Sequence, residues 1–269
     1  MGIKFWPYFF CWLLFVSVVA ANADYSATEQ GVLLKARAMS IIMVTSILVT
    51  SIVILAIISK TKFHNHKRIL FLMLLVPIIV ATFYVAGTTI YLNSISITKG
   101  PVHWHADFEV WNCGEKIDLL DPRGLSNRIG TPVFHEHNDN RMHVEGVVVK
   151  KEDVSLQEFF RVVGGTLTKA YLEISTNQGK IFLQEGNLCS GKEGEIQVFV
   201  YKVTNPEEQG NWIYTQEKIE NFTDYILSPY AHVPPGDCII IEFDQKKEKT
   251  EQLCATFQSA INRGELRGS

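Results

Sequence analysis

The chain has 269 residues, 47% of them hydrophobic, with 25 Lys+Arg against 28 Asp+Glu and a formal net charge of −3. So much apolar content excludes a disordered chain, and the missing basic excess excludes a general nucleic-acid binder. The average conceals a division at residue 93: residues 1–93 carry 7 basic and 2 acidic side chains (+5), residues 94–269 carry 18 and 26 (−8).

The first segment reads Met1-Gly2-Ile3-Lys4, an apolar run from Phe5 to Ala20, then Ala21-Asn22-Ala23-Asp24. A basic start, an apolar stretch and an A-x-A site predict a signal peptide over residues 1–23, cleaved after Ala23. The same stretch would also serve as an uncleaved anchor. Two charge-free runs follow, Met39–Ser59 with 21 residues and Ile69–Leu92 with 24. A membrane-crossing helix needs about 20 residues, so both are predicted as transmembrane helices, and Pro77 in the second is tolerable there. The loop between them, residues 60–68, holds Lys60, Lys62, Lys67 and Arg68 and no acid. That excess places it in the cytoplasm, and hence everything after residue 92 outside it. His64 and His66 are read as residues of a solvated turn.

Residues 100–244 are expected to form one extracellular α+β domain, mainly β, large enough to bury a core unaided. Along Val102–Trp111, Val102, Trp104, Ala106, Phe108 and Val110 alternate with His103, His105, Asp107, Glu109 and Trp111. This period of two predicts a strand with an apolar inner face. A turn at 112–116 should lead to a returning strand at Ile117–Leu120. Further strands are expected at Arg141–Lys150, Tyr171–Ser175, Lys180–Leu183, Glu195–Val203 and Cys238–Phe243. Ser155-Leu156-Gln157-Glu158 is a capping box opening a helix that Gly164-Gly165 closes, and Glu217–Ile226 is a second helical candidate. Residues 245–269 read as a charged tail with a short amphipathic helix, Leu253, Phe257 and Ile261 falling on one stripe expected to pack on the domain.

Three stretches carry a resemblance: Glu195–Val200, Asn221–Leu227, and Pro235-Gly236-Asp237-Cys238 running into Ile239–Phe243. Together they look like the closing elements of a β-grasp module. The wider domain, with H-W-H-A-D at 103–107, H-x-H at 135–137 and M-H-V-E at 142–145, resembles uncharacterised membrane-anchored proteins of archaea and small-genome bacteria. The resemblance covers residues 100–244 and implies a fold unit, with no activity attached.

Five of the eight histidines fall between positions 103 and 143, where an even spread would put about one. His103 and His105 share a strand face, His135 and His137 repeat the spacing, and His143 follows on the next strand. Asp107, Glu109 and Glu145 are candidates to ligate or to orient an imidazole. Imidazole with carboxylate suits zinc, copper(II), nickel or non-haem iron. The competing account is a solvated polar face whose histidines bond to nearby acids. His232, near Pro234-Pro235, is read as a loop residue.

Cys113, Cys189, Cys238 and Cys254 allow two disulfides in three connectivities in an oxidising location. Asn221-Phe222-Thr223 is the single glycosylation sequon. The sequence holds no nucleophile elbow, P-loop or dinucleotide glycine signature, so no catalytic residue is assigned and an enzyme is the less favoured class. The expectation is a two-pass protein of the cell membrane. Its external, histidine-rich domain binds copper or zinc for metal delivery or sensing, through His103, His105, His135, His137 and His143. The alternative is a non-enzymatic interaction module or accessory subunit of a membrane complex. The implied partners are the lipid bilayer and a membrane protein, with no nucleic acid.

Overall fold

The computed structural model describes residues 27–59 and 66–269. The expected signal peptide and most of the basic loop 60–68 lie outside the described residues.

Two long helices come first, α1 (Ala27–Ile58) and α2 (Lys67–Ile95). At 1.5 Å per residue each is longer than the ~30 Å of a bilayer's hydrocarbon core. Both are long and apolar enough to cross a membrane, and little of either apolar stretch is buried. Met43, Ile47, Ile58, Phe71, Phe83 and Ile90 are all exposed, an apolar surface of the kind that marks a membrane or protein contact. Several of their hydroxyls are satisfied within the helix: Ser46, Ser51 and Thr82 each donate to a carbonyl one turn back at 2.8 Å. The helices pack together, with Gly31 of α1 against Leu92 of α2. This end of the hairpin meets the rest of the protein: Val32 touches its core, and the Ile97 N–H donates to the Val148 carbonyl at 3.2 Å.

The remainder is mostly sheet. Its strands are β1 (Pro101–Asn112), β2 (Glu115–Lys116), β3 (Ile129–Gly130), β4 (Phe134–Glu136), β5 (Arg141–Val147), β6 (Thr166–Leu167), β7 (Tyr171–Thr176), β8 (Gly179–Gln184), β9 (Leu188–Cys189), β10 (Lys192–Glu193), β11 (Glu195–Val203), β12 (Trp212–Lys218), β13 (Cys238–Asp244) and β14 (Leu266–Gly268). Two short α-helices, α3 (Leu156–Val162) and α4 (Ala255–Asn262), and two 3-10 turns, Lys151–Val154 and Phe222–Asp224, complete the elements. The main sheet runs β14-β12-β11-β13-β1-β5-β4-β3, with β2 added at the end of β1. β1 lies parallel to β13 and antiparallel to β5, so it is a central strand.

One sheet face carries Ala106, Phe108, Val110, Phe134, Met142 and Val144 and is covered by α3. Phe159 of α3 stands edge-on to Phe108, ring centroids 5.0 Å apart, and 5.2 Å from Phe134. The expected cap forms in part: the Ser155 hydroxyl accepts from the Glu158 N–H at 3.3 Å, while the Glu158 carboxylate turns to Arg161. The opposite face carries Phe199, Tyr201, Cys238 and Ile240, covered by Phe257 and Ala260 of α4. With both faces covered, β13 can be the unbroken apolar run Cys-Ile-Ile-Ile.

Several expectations are corrected. The strand returning from the 112–116 turn is β2, two residues long, and not Ile117–Leu120. Cys113 and Gly114 both have positive φ (51° and 84°), the tight hairpin turn. β5 already occupies the same edge of β1 from Pro101 to Asp107, leaving β2 little room. The helix expected at Glu217–Ile226 is instead the end of β12 and a single 3-10 turn at Phe222–Asp224, because pairing with β11 outweighs local preference. The Arg141–Lys150 strand stops at Val147. Residues 245–269 are more than a tail: α4 packs its stripe on the sheet, and β14 pairs parallel with β12. The cysteines join as Cys113–Cys189 and Cys238–Cys254, the latter fastening this C-terminal segment to β13.

Candidate metal centre

α4 covers only half of its sheet face. The other half, on β1, β5 and β4, carries the histidines. Because strand side chains alternate, His103, His105 and Asp107 share one face of β1. The register sets His103 opposite Glu145, His105 opposite His143, and Asp107 opposite Arg141 on β5. β4 then places His135 opposite His143 from the other side. His105, His143 and His135 therefore form one row across three neighbouring strands, roughly 4.8 Å per step. A slip of one residue would turn the whole set into the core. The β4–β5 turn fixes the register of those two strands: Asn138 and Asn140 take the left-handed conformation (φ 66° and 54°) that asparagine tolerates best among side-chain-bearing residues.

The five imidazoles do not converge on a single point. They form two sets, His103, His105, His143 and Glu145, and His135, His137 and His143, the ligand atoms in each lying within 4.8 Å of one another. His103 Nε2 is 2.8 Å from His105 Nε2 and 3.3 Å from Glu145 Oε1. His135 Nε2 is 3.1 Å from His137 Nε2. Around an ion with metal–nitrogen bonds of about 2.0–2.1 Å, neighbouring donors stand roughly 2.8–3.4 Å apart, so both pairs fit with little movement.

The outer nitrogens fix the tautomers. His105 Nδ1 is 2.6 Å from the Ala231 carbonyl, and His137 Nδ1 meets the carbonyl of Asn127. A carbonyl only accepts, so each Nδ1 carries its hydrogen and each Nε2 keeps a lone pair facing the neighbouring imidazole. Ligating histidines are oriented in this way at metal sites. His143 Nε2 stands 3.1 Å from Asp139 Oδ2. His135 is 1% exposed, and its Nδ1 has no hydrogen-bond partner among the described residues.

Electrostatics keep the cluster ready for a cation. Burial, then the nearness of His143, brings His105 down to about 4. Burial, followed by His137 and His143, brings His135 down to about 4. Both are therefore neutral at pH 7 with a lone pair to give. Burial alone would raise the Asp139 carboxyl, but the hydrogen bond from His143 and the charges of His143 and Arg141 hold it below the usual range.

Two of the three expected supporting acids are engaged elsewhere. Asp107 accepts from Arg141 Nε at 2.7 Å and from the Thr256 hydroxyl of α4, marking the border between the covered and open halves of the face. Glu109 accepts from Lys116 at 2.7 Å and the Trp111 indole at 3.1 Å. Only Glu145 joins the cluster. His232 is not in either set; its carbonyl accepts the Gly236 N–H in the loop that holds His105. Asp139 and the carbonyls of Ala231 and Asn127 were not foreseen. Asp139 had one signal, four residues before His143 across an Asn-rich turn; the carbonyls had none. No family model, curated protein or solved structure matches the chain.

Proposed function

We propose that this protein is anchored in a membrane by α1 and α2 and binds a transition metal, copper or zinc, through the histidines of β1, β4 and β5. The observation that carries this reading is the pair of Nδ1–H hydrogen bonds, His105 to Ala231 and His137 to Asn127, which leave two Nε2 lone pairs turned inward. A solvated polar face has no need to orient imidazoles from behind. The basic 60–68 loop supports an internal hairpin turn and an external metal domain, suited to metal delivery or sensing at the cell surface. The parallel pairing of β1 with the late strand β13 supports the β-grasp-like reading of the domain's second half.

The test is metal analysis of the full-length protein purified in detergent and reconstituted separately with copper and zinc. Stoichiometric metal is expected in the wild type, with weaker retention in His105→Ala/His143→Ala, which damages both sets. No bound metal after reconstitution would overturn the reading. A stable membrane partner co-purifying with metal-free protein would favour an interaction module instead.

A further inference from the structure

Resting on the metal reading above, we propose that the two histidine sets are two stations for one ion, exchanging through His143. His143 belongs to both sets. In the sheet it stands between them, opposite His105 on one side and His135 on the other. Its ring centroid is 4.5 Å from that of His105 and 4.8 Å from that of His137.

His143 can serve only one set at a time. Its Nε2 faces the Asp139 carboxylate at 3.1 and 3.4 Å. A carboxylate accepts, so the hydrogen is on Nε2 and the one remaining lone pair is on Nδ1. A single lone pair completes a single coordination sphere. Two ions at once would require His143 to lose its last N–H and a second cation to take the position of that hydrogen.

The stations differ in a way that suits transfer. The outer one includes His103 and Glu145, whose side chains are 58% and 42% exposed, and it offers three imidazoles and a carboxylate. Four donors of this kind close a tetrahedral shell. The inner one offers three imidazoles, of which His135 and His143 are buried. Three donors leave a fourth position for water or an incoming ligand. An ion captured from solvent by the outer set can pass to the inner set by exchanging donors around His143, without leaving the protein. The open position there lets a donor from an acceptor molecule replace the histidines one by one. The ion keeps its charge throughout, and no electron is exchanged.

The experiment is zinc titration of the full-length protein in detergent, with bound zinc counted after removal of the free ion. One zinc per chain is expected for the wild type, for the outer-station variant His103→Gln/Glu145→Gln, and for the inner-station variant His137→Gln. The three substitutions together should abolish binding. His143→Gln, which damages both stations, should raise Kd by at least the ~10–100-fold that loss of a supporting partner costs at metal sites. Two zinc ions in the wild type and one in each station variant would overturn the proposal in favour of independent sites. Loss of zinc in one station variant with no change in the other would overturn it in favour of a single fixed site. No zinc in the wild type would overturn the metal reading itself. Near-UV circular dichroism reports whether each variant is folded; where one is not, the milder His103→Gln or His137→Asn takes its place, and a wild-type count of two overturns the proposal without any variant.

Discussion

Replacing Gly236 by alanine probes the loop that aims His105. A Cβ there would stand 2.3 Å from the His105 carbonyl oxygen and 2.9 Å from that of His232, where ordinary contact begins near 3.4 Å. Both neighbours are backbone, so neither can swing away as a side-chain tip would. Relief requires β1 and the 228–236 loop to part, and overpacking of this kind costs about 1–3 kcal/mol. The same parting stretches two hydrogen bonds, His105 N–H to Tyr230 at 2.7 Å and His105 Nδ1–H to Ala231 at 2.6 Å. Losing one adds about 1 kcal/mol. The expected total of about 2–4 kcal/mol corresponds to a fall in Tm of about 4–16 °C for a domain of this size. Gly100→Ala is the control, because a Cβ there meets nothing within 4 Å; it should stay within about 0.5 kcal/mol of wild type. The assay is thermal unfolding of the full-length protein by near-UV circular dichroism, paired with zinc titration. Measured in the His137→Gln background, where the outer histidine set alone is intact, zinc affinity should fall about 10–100-fold, as when other orienting partners are lost. A Gly236→Ala protein that melts with the wild type would refute the close seating of the loop on β1. One that melts early but, in that background, binds zinc as tightly as His137→Gln alone would refute its role in aiming His105.

Peptide mapping without reduction should recover Cys113 joined to Cys189 and Cys238 joined to Cys254; either of the other pairings would contradict the fold. From the chain lengths enclosed, 76 and 16 residues, removing the first bond should cost about 4–5 kcal/mol and the second about 3 kcal/mol, read from denaturant midpoints. Lys247→Met strips the cation from Glu242, 3.0 Å away and only 2% exposed, and from Asp244, 2.6 Å away. Because Lys247 is itself a third exposed, the cost at pH 7 should be about 1–3 kcal/mol, below that of breaking a fully buried pair. Burial pulls the Asp244 carboxyl up, but the Lys247 hydrogen bond and charge, with the Gln245 N–H, hold it below its ordinary value. A carboxyl depressed on folding stabilises above its unfolded pKa, near 3.9, and that contribution is lost as pH falls through the folded value. The gap between variant and wild type should therefore narrow by pH 3; a constant gap would refute the ion-pair account.

The sequence by itself determined whatever depends on local period and run length. Two charge-free stretches made two helices, and the alternation from Val102 to Trp111 made β1 with its histidines on one face. Ser155 and Glu158 marked the start of α3. The pairs His103/His105 and His135/His137 were legible for the same reason, since spacing of two on a strand puts side chains together whatever the strand pairs with. Only the tertiary structure decided which strands become neighbours. Register across β1, β5 and β4 set His143 between the two pairs and divided five histidines into two sets instead of one. Asp107 left the candidate ligand set because Arg141 and Thr256 reach it from elsewhere in the chain, and Glu109 because its near neighbours Trp111 and Lys116 engage it. The carbonyls of Ala231 and Asn127 orient imidazoles 126 and 10 residues away, and a carbonyl has no side-chain identity for a sequence to display. The stretch from 245 onward looked like a tail because its strand is three residues long; parallel pairing with β12, a contact between distant parts of the chain, makes it part of the sheet.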